Sequence, residues 1–333
     1  MRTLTEAQWT QIAELAIQAY GLLTAQLNWL SQTHNTVFEV ITDEKRYSLR
    51  LQIADDGRIE WLRSELTFLR ILHDMTKLSV PYPNFTRLGE SYARINSADY
   101  PPIQAVLFNH LEGESPMPTS IIPEELRKIG AFLGQLHQSS PPFPSPKGFQ
   151  RPMLDWQGLF GTESIYDPEE GHALFTDEMK RIINRVTEQV QRVMDKLSQS
   201  KVQFGMIHGD LLTKNILVHE GDVSALDFEY CGWGYFLYDL APLLWQFKLE
   251  ETYAELEDML WEGYIQVRPQ MALHREALEP LIAARHVASI RWIAKNQHHP
   301  YVKGKALSIV EQRINELKQF LTTGFLRRND TQP

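Results

Sequence analysis

Hydrophobic positions recur at helical spacing over residues 5–20, where Trp9, Ile12, Ala13, Ala16, Ile17 and Tyr20 share a face that ends at Gly21. Three strand-like segments follow, at 25–30, 36–41 and 46–53. The third alternates, with Tyr47, Leu49, Leu51 and Ile53 on one face and Arg46, Ser48, Arg50 and Gln52 on the other. A helix is predicted over about 58–73, its apolar arc made of Trp61, Leu62, Leu66, Phe68, Leu69 and Leu72. Two prolines break the pattern in 80–87, and 91–95 and 103–109 read as further strands.

Glu65 falls in the middle of that apolar arc, whereas Glu60 falls opposite it. A buried, unpaired carboxylate costs several kcal/mol, so Glu65 needs a cation, and Arg50 on the polar face of the preceding strand is the candidate. The alternative is that Glu65 sits at the edge of a loosely packed face and touches water.

Five strands and one inserted helix lead to Phe108-Asn109-His110-Leu111-Glu112-Gly113, a glycine-punctuated linker. The expected lobes are therefore 1–111 and 112–333. Beyond it the pattern becomes helical. Pro123-Glu124-Glu125 opens a helix carrying Ile129, Phe132, Leu133 and Leu136 on one face. A proline-rich loop at 139–152 precedes one or two amphipathic helices over 168–198. Helices at about 236–249, 251–266, 274–297 and 304–325 complete the chain, with a frayed tail from 327 and no internal repeat.

Composition narrows the class. Apolar content of 43% and charged content of 23% are ordinary for a globular protein, and 333 residues suffice for two lobes. The net charge of −9 argues against a nucleic-acid binder, which normally shows a basic surface. The lone Cys231 allows no intrachain disulfide and suits a reducing compartment. The N-terminus lacks the apolar core of a signal peptide, and no apolar run approaches the ~18 residues of a membrane span. A cytoplasmic enzyme with no membrane partner is the expectation.

The candidate chemistry lies between 206 and 240. His208-Gly209-Asp210 is followed by Asn215, by apolar Ile216-Leu217-Val218, by a turn at Gly221-Asp222, and by Leu226-Asp227-Phe228 on a second short strand. The form H-x-D-x-x-x-x-N followed by D-F is the catalytic-loop and metal-loop pair of kinases. Phosphoryl transfer needs positioning, Mg2+ to neutralise phosphate charge, and a carboxylate at the acceptor hydroxyl. Asp210 is read as that base, and Asn215 and Asp227 as a neutral and a charged oxygen for Mg2+. A binuclear metallophosphoesterase could use the same letters but needs further ligands, and the remaining histidines show no such spacing.

These motifs resemble the aminoglycoside phosphotransferase/choline kinase superfamily, a family with members similar to type II homoserine kinases and to bacterial stress-response kinases. The resemblance covers about residues 25–325. It is carried by His208-Gly209-Asp210-Leu211, Asn215-Ile216-Leu217, Leu226-Asp227-Phe228-Glu229-Tyr230, Tyr238-Asp239-Leu240-Ala241 and Gly134-Gln135-Leu136-His137. It implies an α+β, bilobal protein-kinase-like fold, with an antiparallel N-lobe sheet bearing one helix and a mostly helical C-lobe. It also implies ATP and Mg2+ as cofactors, and His208 and Asp239 as supports of the catalytic loop.

By the same resemblance Arg50 takes the place of a phosphate-binding lysine, with Glu65 as its helix partner. Segment 30–38 covers the phosphates, and 108–111, with Asn109 and Leu111, offers backbone groups to adenine. Two features depart from the family. An arginine replaces the lysine, and the 31–35 loop has no glycine, so Ser31 and Asn35 side chains would supply donors instead.

The short interval from Asp227 to Asp239, with no A-P-E after it, leaves no room for a protein-kinase activation segment and favours a small-molecule alcohol. Glu229, Tyr230, Trp233, Arg285 and Trp292 are the expected acceptor contacts, with Tyr235, Trp245, His286 and Arg291 as further lining candidates or ordinary core. An amino-acid or amino-alcohol hydroxyl is the first expectation, with an aminoglycoside-like acceptor in the same class. A stress-response-type protein kinase and a catalytically inactive nucleotide-binding scaffold are the alternatives.

Overall fold

The computed structural model describes residues 4–32, 35–140, 145–162, 164–165, 172–199 and 203–326. Thr33 and His34 of the expected phosphate-covering loop lie outside the described residues. So do 141–144 of the proline-rich loop, 168–171 at the start of the expected amphipathic stretch, and the tail from 327.

The chain divides into two compact units. The first comprises Met1–Gly113 with Ser145–Gln150 and Ser224–Leu226. Its centre is a five-stranded antiparallel sheet built from β1 (Gln26–Gln32), β2 (Thr36–Ile41), β3 (Arg46–Ile53), β4 (Ala93–Ile95) and β5 (Ile103–Asn109), in the order β1-β2-β3-β5-β4. Strand alternation sends Phe38, Val40, Leu49 and Leu51 to one face, where α1 (Glu6–Ala19) covers them with Trp9, Ile12, Ala13, Ala16 and Ile17. Each such buried aliphatic or aromatic side chain contributes about 1.5–3 kcal/mol. The leading helix is thus part of this core. Its start is secured by a capping box between Thr5 and Gln8.

The second long helix of the unit, α2 (Ile59–Met75), buries Leu62, Glu65, Leu66, Phe68, Leu69 and Leu72. Glu65 is therefore an interior carboxylate, and it does not sit at a wetted edge.

The second unit comprises Glu114–Pro144, Arg151–Val223 and Asp227–Pro333. Its helices are α3 (Pro123–Ser139), α4 (Trp156–Phe160), α5 (Asp177–Ser198), α6 (Ala241–Phe247), α7 (Tyr253–Val267), α8 (Leu278–Lys295) and α9 (Ala306–Thr323). α3 and α7 approach closely because glycines face the seam. A Cβ on Gly130 would lie 2.1 Å from the Leu260 carbonyl oxygen, and one on Gly263 would lie 1.9 Å from that of Arg127. α5, α6 and α9 pack around α8, which buries residues on nearly every side, from Leu281 and Ile282 to Val287, Ala288 and Ile290.

Two small sheets carry the loops of interest. β7 (Phe204–Ile207) pairs antiparallel with β10 (Gly232–Tyr235), which pairs in parallel with β6 (Met153–Leu154). β8 (Ile216–His219) and β9 (Asp222–Ala225) form a hairpin whose turn residues Glu220 and Gly221 both have positive φ, 49° and 85°. Neither β6 nor β10 is read from the hydrophobic pattern.

Candidate active site

The catalytic-loop candidate leaves β7 at Ile207 and turns at Gly209, whose φ is +82°. A side chain there would be strained, and its Cβ would meet the Tyr230 carbonyl oxygen at 2.6 Å. Asp239 holds the turn from beneath. Its Oδ2 accepts the His208 amide and its Oδ1 the Gly209 amide, both at 2.7 Å.

Asp239 is itself fully buried and needs further partners. His137 Nε2–H donates to Oδ2 at 3.1 Å, and the Tyr264 hydroxyl, 3.1 Å from Nδ1, donates to the ring's other side. This tautomer follows from an ionised carboxylate being acceptor-only. Burial alone would raise the Asp239 carboxyl, but the His137 bond and the charge and amide of His208 outweigh it and hold it below its ordinary value. Burial pushes the His137 imidazolium down despite the carboxylate beside it, so the ring is neutral. Nothing in the sequence pattern marks Tyr264, and His137 stands there only as the end of a family-like helix. His137 follows the buried Leu133 and Leu136 on α3, and that is the one signal that could have shown it as interior.

Asp210 follows. Its amide donates to His208 Nδ1 at 3.3 Å, and its backbone carbonyl accepts Nδ2 of Asn215 at 2.9 Å. With Nδ2 committed to that carbonyl, Oδ1 is the side-chain atom of Asn215 left to accept or to ligate. Gln246 on α6 fixes the middle of the loop, accepting the Thr213 amide at 3.0 Å and donating to its hydroxyl at 2.9 Å.

Asp227 lies just past β9 at φ 60°, ψ 64°, and Phe228 opens a single 3-10 turn, Phe228–Tyr230. The sequence expectation of Asp227-Phe228 on a strand is corrected here. The chain leaves the ladder at a left-handed residue, which re-aims the carboxylate, and aspartate tolerates that conformation better than most side chains. Arg151 clamps the turn, its guanidinium donating to the carbonyls of Cys231 and Glu229. Phe228 is buried with its ring 4.6 Å from that of His208, so the two loops pack on one another.

Asn215 and Asp227, the residues that would hold a metal, would offer one neutral and one charged oxygen. That suits Mg2+, which takes one or two protein oxygens and completes its shell with waters and phosphates. Among the described residues no group of three or more His, Cys, Asp or Glu side chains could hold a metal alone.

In the other unit, Arg50 reaches across from β3 to α2, with Nη1 and Nη2 donating to Glu65 Oε1 and Oε2 at 2.7 and 3.0 Å. The pair is 7% and 2% exposed, and the guanidinium lies 5.3 Å from the Phe108 ring centroid. Ser31 is exposed at the end of β1, and Asn35 is buried just before β2. The Asn109 amide donates to Tyr82 O at 3.0 Å and the His110 amide to Arg46 O at 3.3 Å.

Of the expected acceptor contacts, Arg285 meets Asp210 directly, with Nη2 2.6 Å from Oδ1. Glu229 and Tyr230 sit on the turn after Asp227, and Trp233 on β10; all three are half-buried. Trp292 lies two turns beyond Arg285 on α8, with its ring 5.3 Å from that of His299. Tyr235 packs against Phe204 and His286 is fully buried, so both are interior and not lining residues. Arg291 donates to the Leu159 carbonyl at 3.1 Å.

Comparisons with known proteins identify the family and the fold. The chain matches the model of the phosphotransferase enzyme family over residues 29–274. A homoserine kinase of a Chelativorans species is 26% identical over 291 residues, covering 83% of each chain. The amicoumacin kinase of Bacillus subtilis is 20% identical over 236 residues, 71% of this chain and 67% of that one. The solved structure of a microcompartment-associated aminopropanol kinase superposes with a TM-score of 0.82 at 22% identity, over 96% of this chain and 99% of that one. The fold is therefore α+β and protein-kinase-like. No described helix is long and apolar enough to cross a membrane. With a family match over residues 29–274, the chain belongs to the phosphotransferase enzyme family and is a kinase.

Proposed function

We propose that this kinase transfers the γ-phosphoryl group of ATP to the hydroxyl of a small molecule, an amino acid or amino alcohol being the first choice, with Asp210 as the base. The observation that carries this reading is the constraint on the Asp210–Asn215 loop. Asp239 pins its start through two amides, and the Asp210 carbonyl takes the Asn215 amide nitrogen, which leaves the amide oxygen available. ATP, when bound with Mg2+, supplies the phosphoryl group and the charge neutralisation. The chain's residues orient and deprotonate: Asp210 accepts the proton of the acceptor hydroxyl, and Asn215 and Asp227 would hold the metal. Arg50, Glu65, Ser31, Asn35, Asn109 and Leu111 would hold the nucleotide. The names of the relatives support the acceptor class, being kinases of homoserine, aminopropanol and amicoumacin.

The test is ADP release across a panel of hydroxy amino acids, amino alcohols, sugars and aminoglycosides, comparing wild type with Asp210→Asn. General-base loss lowers turnover by roughly 10²–10⁴-fold while nucleotide binding stays nearly intact. ATP consumption that ignores Asp210→Asn would refute the proposal.

A second reading, an inactive nucleotide-binding scaffold, draws on the locked state of Arg50, both of whose Nη atoms are engaged by Glu65. A thermal-shift titration with MgATP, read together with the ADP-release panel, separates the two. A binder of nucleotide that turns over no acceptor is the scaffold, since specific binding raises the melting temperature by mass action whether or not chemistry follows.

A further inference from the structure

The loop that carries Asp210 and Asn215 is held at two places from one stretch of chain. A 3-10 turn, Phe236–Leu240, runs without a break into α6, Ala241–Phe247. Asp239, in the first part, accepts the His208 and Gly209 amides. Gln246, in the second, accepts the Thr213 amide on Oε1 at 3.0 Å and donates from Nε2 to the Thr213 hydroxyl at 2.9 Å. Residues two helical turns apart share a face and lie roughly 10 Å from one another along the axis. One side of this stretch therefore meets the loop both before Asp210 and before Asn215.

Thr213 is 2% exposed and opens the single 3-10 turn Thr213–Asn215, which the Ile216 amide closes on the Thr213 carbonyl. The Asn215 amide also donates to the Leu212 carbonyl at 2.8 Å. A turn tied in this way moves as one piece, so fixing Thr213 fixes the backbone from which the Asn215 side chain projects. Further ties act beyond Thr213: the Ser115 hydroxyl donates to the Lys214 carbonyl at 3.4 Å, and Ile216 enters β8. Gln246 is the tie that refers the turn to the same stretch as Asp239.

Seating that stretch does not fall to Gln246. Residues 236–240 are all buried, and so is α6 apart from Trp245 and Gln246. Gln246 is half-buried and spends both ends of its carboxamide on one residue of the loop. The two arms divide the loop between them. Asp239 grips the residues next to Asp210, and Gln246 grips the turn that ends in Asn215.

We infer that Gln246 is a positioning residue for the metal: by anchoring Thr213 it sets where Asn215 presents its amide oxygen to Mg2+, while the place of Asp210 is set by Asp239. This rests on the phosphotransferase reading above, in which Asn215 holds the metal. Groups that orient a metal ligand from behind are worth roughly 10–100-fold in metal affinity.

The experiment uses the full chain with ADP and no acceptor, so that no turnover enters the reading. Mg2+ is titrated at fixed ADP and the melting temperature followed. Gln246→Leu should raise the Mg2+ midpoint roughly tenfold or more and leave the Mg2+-free stabilisation by ADP unchanged. Gln246→Glu should stay near wild type, because a carboxylate accepts the Thr213 amide and also its hydroxyl, which turns to donate. Thr213→Val keeps the amide bond and loses the hydroxyl bond, so its midpoint should rise less. In steady-state assays of Gln246→Leu at saturating Mg2+, the acceptor KM should match wild type.

An unchanged midpoint in Gln246→Leu overturns the inference, as does an equal loss of stabilisation with and without Mg2+. A Gln246→Glu midpoint as high as that of Gln246→Leu, or a raised acceptor KM, also overturns it. Should Gln246→Leu fail to fold, Thr213→Val decides, and no rise there overturns the inference. Failure of the parent reading looks different: ADP stabilisation of the wild type itself ignores Mg2+, and both fall together.

Discussion

The carboxylate of Asp239 and the imidazole of His137 lie 3.1 Å apart with neither side chain exposed to solvent, and the same carboxylate takes the amides of His208 and Gly209. The catalytic loop is therefore hung from an interior ion rather than from the surface. Its geometry depends on the charge state of groups that no substrate touches.

Asp239→Asn replaces a two-oxygen acceptor with one oxygen and one donor, so one of the two amides at 2.7 Å loses its partner and meets an N–H instead. A buried polar group left unsatisfied costs about 1–3 kcal/mol, more where a charge was involved. Urea denaturation of the variant should show a loss of that order, and kcat should fall although Asp239 does not reach the substrate. An unchanged denaturation midpoint would contradict the suspended-loop account.

Stability should decline on the acid side in two stages. The Asp239 carboxyl is held below its ordinary 3.8, so its contribution is present above that value and lost as pH falls through the folded-state value. The His137 imidazolium is also pushed down from its ordinary 6.5, so the folded ring stays neutral while the unfolded ring takes a proton. Protons thus favour the unfolded chain from about pH 6.5 downward, and stability falls over that window. Melting temperature measured from pH 8 to 2 should be flat at the top, drop below about 6.5 and drop again below about 3.8. His137→Asn should flatten the upper part of the drop, and an identical profile in that variant would count against the assignment.

Arg151→Lys tests the clamp on the turn after Asp227. A lysine offers one point charge where the guanidinium spans the carbonyls of both Glu229 and Cys231. The expected outcome is weaker Mg2+-dependent stabilisation by nucleotide, with Mg2+-independent stabilisation little changed, in a thermal-shift titration. Equal loss with and without Mg2+ would place the effect elsewhere.

Gly130→Ala sets two magnitudes against each other. Alanine in place of glycine gains roughly 1 kcal/mol of helix propensity. The new methyl would sit 2.1 Å from the Leu260 carbonyl oxygen, backbone that cannot swing aside, and overpacking costs typically 1–3 kcal/mol or more. Net destabilisation in a urea melt is expected. A gain in stability would mean that the α3–α7 seam can open at little cost.

Much of this was legible before any coordinates, for reasons local to the chain. Alternation across Tyr47, Leu49, Leu51 and Ile53 defines a half-buried strand, and the next-strand, next-helix relation of Arg50 to Glu65 follows from which faces those periods leave polar or apolar. The Asp210 and Asn215 spacing was readable too, because one short loop carries both side chains.

What sequence spacing could not show is anything that depends on distant segments meeting. β6 is two residues long and β10 carries glycines at 232 and 234, so neither has a hydrophobic period to read, and their pairing exists only once 153 and 233 are side by side. His137, Asp239 and Tyr264 come from three separate elements, and nothing in their spacing links them. Arg285 could be picked as an acceptor contact by its chemistry. That it binds Asp210, 75 residues away in the chain, was decided by how α8 is buried among its neighbours. Local periodicity settled the elements and the reactive loop, while the charge environment that governs the loop arose from packing, because electrostatic partners are selected by distance in space and not by separation in sequence.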